Sequence, residues 1–210
     1  MECRARGAIE TDRLFGPEGL SAVGRIWSED DGNKNLHNCQ AGYELLVAAS
    51  PASPVKVGNF QATHVFPDWD RSFQFSDNEY GRALSIHLDG FSRDSKSMFG
   101  IISERGEYPL DFLFNRDVAS GRTRMVDLKD LAEPDEAKCA TSFAVVGTAG
   151  RGSMVVVEVR RAEPCRTRSR WEIQPNTTPW EFEEHPAKNG KLHALPEGTA
   201  ITPLYEGGKP

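Results

Sequence analysis

The feature that most constrains this chain is the shortness of its apolar segments, nearly all of which end at a turn signal. Residues 90 to 128 show it best: "GFSRDSKSMFGIISERGEYPLDFLFNRDVASGRTRMVDL". Apolar, β-prone pieces alternate there with polar, glycine-marked connections. A helix needs an apolar stripe sustained over ten or more residues, whereas a strand needs only four to eight. Nineteen glycines and thirteen prolines spread such punctuation along the 210 residues, which favours short strands over long helices. Eleven phenylalanines and four tryptophans supply a core that a disordered chain would lack.

Elsewhere the same grammar holds. "LSAVGRIWS" reads as a strand ending in the loop "EDDGNKNLHN", and "GYELLVAAS" as a strand with a near-continuous apolar run. "VKVGNFQATHVF" reads as an alternating strand, and Phe73 and Phe75 share a face in the next segment. In "RALSIHLDGF", Leu84, Ile86 and Leu88 fall on one face and Ser85, His87 and Asp89 on the other, the period of a half-buried strand. "KDLAEPDEAKC" is the best helical candidate, and Pro134 limits it to a turn or two. "TSFAVVGTAGRGSMVVVEVRR" predicts a hairpin folded at Ala149 to Arg151, and "CRTRSRWEI" alternates strictly. Short strands are expected at "KLHAL" and "AITPLYE" in an otherwise less regular proline- and glycine-rich segment, 175–210. About ten to twelve strands and no long helix predict a single all-β domain over 1–210, built from antiparallel meanders. A β-sandwich or barrel is the alternative to a propeller-like arrangement.

The stretch 90–128 resembles a blade of the periplasmic and peptidase-associated β-propellers. In such blades a turn of the type "FSPDGK" precedes an inner strand, and an aspartate-to-glycine turn links the outer ones. Here the first turn is Phe91-Ser92-Arg93-Asp94-Ser95-Lys96, and the second runs from Asp117 to Gly121. Short polar side chains such as Ser92 and Asp94 close turns by accepting bonds from backbone N–H groups two residues on. Arg93 stands where the pattern has proline, and Ser95 where it has glycine. The resemblance implies a blade of about 40 residues.

Function is less legible. A net charge of −6 disfavours nucleic acid as a partner. No run of about 18 apolar residues provides a membrane-spanning helix. Residues 1–16 have no apolar signal core, so the chain is either cytoplasmic or a secreted protein from which a leader has been removed. The cysteines are Cys3, Cys39, Cys139 and Cys165. The hairpin brings Cys139 and Cys165 to its open end, which leaves Cys3 with Cys39 as a second disulfide. Paired cysteines in a turn-rich chain favour a secreted or periplasmic location, where Asn176 of "NTT" would matter only in a eukaryotic protein.

Three clusters are candidate contact surfaces. Trp69, Asp70 and Tyr80, with Asp68, Asp77 and Glu79 nearby, set aromatic faces beside carboxylates, as a sugar site does. His87 and Asp89 share a strand face and could act as an acid–base pair. Arg166, Arg168 and Arg170 are spaced for one strand face, with Arg160 and Arg161 close by, and would suit an anionic polysaccharide or phosphate. The acidic run Glu29 to Asn35 lacks the spacing of a calcium loop. The histidines lack zinc spacing and no GxSxG occurs, so no metal or cofactor is expected. The leading expectation is a non-catalytic binding module for a protein or carbohydrate partner. A carbohydrate-active hydrolase using carboxylates within 68–94 and a subunit of a surface assembly are the alternatives.

Overall fold

A computed structural model of the chain describes residues 7–30, 39–48, 61–66, 83–105, 110–128, 131, 139–150, 154–174 and 191–205. Three antiparallel sheets make up the described residues, with no α-helix among them.

The first sheet holds β1 (Gly7–Glu10), β2 (Leu14–Phe15), β3 (Ser21–Asp30), β4 (Cys39–Ala48) and β5 (Gln61–Phe66). Its order is β1-β3-β4-β5, with β2 also beside β3. A 3-10 turn at Pro17–Gly19 follows β2. The second sheet is a four-stranded meander of β6 (Ala83–Phe91), β7 (Ser97–Arg105), β8 (Leu110–Asp117) and β9 (Thr123–Asp127) in chain order. The third holds β10 (Thr141–Ala149), β11 (Met154–Arg161), β12 (Arg168–Gln174), β13 (Lys191–Ala194) and β14 (Thr202–Pro203), ordered β13-β12-β11-β10-β14.

The second sheet is the middle layer. Ile86, Met98, Ile102, Phe112 and Phe114 face Leu20, Ala22, Leu45 and Val47 of the first sheet side. Phe99, Ile101, Leu113 and Val126 face Val145, Val155, Val157, Val159 and Ile173 of the third. Covering both faces explains why "SMFGII" and "DFLF" read as continuous rather than alternating apolar runs. Each such large side chain, removed from water, contributes roughly 1.5–3 kcal/mol of transfer free energy.

The turns of the second sheet form as their side chains direct. Ser92 Oγ donates to Asp94 Oδ1 at 2.6 Å and accepts from Ser97 N at 2.9 Å. Asp94 Oδ1 also accepts from Lys96 N. Ser95 takes φ 62°, the left-handed conformation that glycine adopts most readily. Between β8 and β9, Asp117 Oδ1 accepts from both N and Oγ of Ser120 at 2.7 Å, and Gly121 takes φ 69°.

Four expectations change or gain detail. The strand from Ser21 runs through Glu29 and Asp30, which sequence had assigned to a loop. On the polar face of β6, Ser85 and His87 are exposed as expected, but the Asp89 side chain is only 5% exposed. The 191–205 part of the C-terminal segment is tied into sheet structure through β13 and β14. Fourteen strands are present among the described residues, against the ten to twelve predicted; β14 falls within the expected "AITPLYE", whereas the two-residue β2 carries no periodic signature. The helical candidate at 129–139 lies outside the described residues save for Leu131 and Cys139, as do Phe73 and Phe75.

Candidate functional site

The third sheet is organised around a charge. In β11 the run Val155, Val156, Val157, Glu158, Val159 is buried throughout, and Glu158 is fully buried. Isolated, an ionised carboxylate in that position would be prohibitively costly. Pairing resolves the problem. The register sets Arg170 opposite Glu158 and Arg168 opposite Arg160. Arg160 Nε reaches Glu158 Oε1 at 2.6 Å, and Arg170 Nε reaches Oε2 at 3.4 Å. Arg168 pairs with the same Oε2. Burial pushes the Glu158 pKa upward, but the hydrogen bonds from Arg168 and Arg160 and their charge pull it further down, so it rests below the ordinary glutamate value.

The arginines stay accessible, with side chains 61% (Arg160), 60% (Arg168) and 40% (Arg170) exposed. A guanidinium carries five N–H donors in a rigid fork, and each touches Glu158 through a single nitrogen. The buried carboxylate therefore aims three cations without saturating them.

Beside Arg168 and Arg170 runs a groove of about 440 Å³, walled by Ser169, Trp171, Glu197 and Thr199 among others. Its position follows from strand lengths. β13 pairs with β12 only from Trp171 onward. Past Ala194 the chain turns away, with Leu195 N donating to Arg170 O at 2.9 Å. Among the described residues this leaves the Arg168 end of β12 without a partner strand on that side. The Trp171 indole is held by Nε1–H donating to Ser169 Oγ at 3.1 Å, while the rest of the ring packs on the core.

Arg166, predicted on the same strand face, does not join. It lies before β12 in a turn, at φ 47°, with its guanidinium paired to Glu163. Arg161 alternates to the opposite face, where Nη2 approaches Leu131 O. Cys139 and Cys165 are joined by a disulfide with Cα atoms 6.1 Å apart, at the open end of the hairpin as predicted. The Cys3–Cys39 pairing lies outside the described residues, as do Trp69, Asp70 and Tyr80 with Asp68, Asp77 and Glu79.

His87 and Asp89 are brought together, with Nε2 and Oδ1 3.4 Å apart. The hydrogen bond and charge of Asp89 raise the His87 pKa, outweighing partial desolvation. Asp89 has a structural task as well. Register slips in β6 between Leu88 and Gly90 and in β10 between Val145 and Gly147. At the second slip Asp89 Oδ2 accepts from Val145 N at 3.0 Å, supplying an acceptor where the ladder is interrupted. The carboxylate thus links the second and third sheets.

Two further features had no sequence signal. Arg116 in β8 is fully buried on the strand face of Phe112 and Phe114. Its Nη1 donates to Thr123 Oγ1 at 3.0 Å, while Nε and Nη2 have no hydrogen-bond partner among the described residues; desolvation lowers its pKa. A second hollow of about 470 Å³ is lined by Pro17, Arg93, Pro203, Leu204 and Tyr205, where the chain end bridges β6 through Tyr205 N donating to Phe91 O. Among the described residues no group of three or more His, Cys, Asp or Glu side chains is placed to hold a metal, and no helix is long and apolar enough to cross a membrane. No protein-family model, curated protein or solved structure matches the chain.

Proposed function

We propose that the chain is a secreted or periplasmic binding module, without catalysis, that holds an anionic protein or carbohydrate partner against the arginine face of its third sheet. The observation that carries this reading is the buried Glu158 beneath three accessible guanidinium groups. A cluster meant only to blunt an edge strand would need charge on the surface, not a desolvated carboxylate fixing where each charge points. Glu158, kept ionised by its partners, is also poorly suited to moving protons. Of the carboxylates offered for a hydrolase, Asp89 is engaged with Val145 and His87, and Asp94 closes a turn. The Cys139–Cys165 disulfide supports an oxidising compartment.

The architecture belongs to the same proposal. β3 packs on β6, and β6 and β7 pack on β10, so the leading long strand of each meander neighbours the next. That is how successive propeller blades stack, and we read the three sheets as blades.

Cation-exchange chromatography at pH 7 tests the binding face. A chain of net charge −6 with evenly spread charge flows through such a resin. Retention is expected here, abolished in an Arg168→Gln, Arg170→Gln variant. Flow-through of the unaltered protein contradicts the reading.

A further inference from the structure

The geometry points to an anionic saccharide, a uronate or sulfated sugar, as the ligand of the groove beside Arg168 and Arg170; this rests on the binding-module reading above. Three observations favour a sugar over an acidic peptide. First, the open edge is too short for strand addition. A peptide captured that way needs several free backbone groups and pockets for alternate side chains, but β13 takes β12 from Trp171 onward and Leu195 N already occupies Arg170 O. Second, the groove is compact, about 440 Å³, within the range of small-ligand sites. Third, its wall mixes the needed chemistries. The guanidinium forks of Arg168 and Arg170 match a carboxylate or sulfate in a bidentate manner. Ser169 Oγ, which accepts from Trp171 Nε1–H, keeps its proton to donate to a ring hydroxyl, and Thr199 Oγ1, which donates to Pro196 O, keeps a lone pair to accept from one. The Trp171 indole, bonded through Nε1–H to Ser169 Oγ, lines the groove with the part of the ring that its packing on the core leaves uncovered, an apolar contact for the C–H groups of a pyranose.

Glu197 is the carboxylate in that wall. It opposes the anion and favours hydroxyl contacts, so it tunes the site toward a sugar with spaced rather than dense charge. Being exposed, it can be changed without disturbing the core.

Isothermal titration calorimetry with four probes tests the inference: a galacturonate tetrasaccharide, a heparin-derived tetrasaccharide, maltotetraose and octaglutamate. Binding of at least one acidic tetrasaccharide and not of maltotetraose is expected. Arg168→Lys, which keeps the charge but loses the fork, should weaken that binding about 5-fold. Glu197→Gln should tighten it about 2-fold. Maltotetraose binding as tightly as the acidic sugars overturns the inference. Octaglutamate binding in an Arg168-dependent way, with neither acidic sugar bound, overturns the saccharide and leaves the binding face standing. Binding of none of the anions removes both.

Discussion

At the scale of single residues, side-chain chemistry explains both turns and charges. Ser95 shows a local conflict. A non-glycine residue in the left-handed region costs about 1–2 kcal/mol, and glycine returns about 0.5–1 kcal/mol of that as backbone entropy. Ser95→Gly is therefore expected to raise unfolding free energy by about 0.5–1 kcal/mol in a urea titration; a loss of stability would show that the Ser95 side chain supports the turn. Glu158 sets the acid limb of stability. Its folded pKa is depressed below the reference value of 4.5, so its contribution is present above that pH and is lost as pH falls through the folded pKa. His87 has the opposite sign. Its pKa is raised from 6.5, so its contribution is present below that value and lost as pH rises through the folded one. Denaturation midpoints between pH 3 and 8 should show both limbs: Glu158→Gln flattens the acid one and His87→Gln the near-neutral one.

Elements show how much of this was readable from sequence. The hairpin of β10 and β11, its disulfide and the turns at Asp94 and Asp117 follow from apolar runs bounded by glycine and short polar residues. The role of Glu158 was signalled in part by a lone carboxylate inside "VVVEV". Its partners emerge only from register, which depends on a turn running from Ala162 to Thr167 that also carries Arg166 off the strand face. β14 was readable only as a broader candidate, since its two residues are too few to show a period. A contact holds it instead: a Cβ on Gly147 would stand 2.4 Å from the Thr202 carbonyl oxygen. Gly147→Ala should push β14 from β10 and cost about 1–3 kcal/mol. Hydrogen exchange should then show Tyr205 N–H, bonded to Phe91 O, losing protection ahead of β11. Unchanged protection there would mean that the strand pairing does not depend on this close approach.

For the whole molecule, the middle sheet buries both faces, and the far side of the third carries the accessible charges of Arg160, Arg168 and Arg170. Leu204, 6% exposed, anchors the chain end in the core between those two sheets, and the segment from Leu195 to Thr199 that precedes it forms one wall of the groove. Core and candidate site are thus built by one stretch of chain, which ties the groove's shape to the fold's integrity. Nitrogen–proton correlation spectra recorded during titration with an acidic tetrasaccharide test this account most directly. The account predicts saturable shifts concentrated at the Nε–H groups of Arg168 and Arg170, the indole N–H of Trp171 and the amides of Leu195 to Thr199. Shifts centred on the Arg93 and Tyr205 hollow, or none at any concentration, would contradict it.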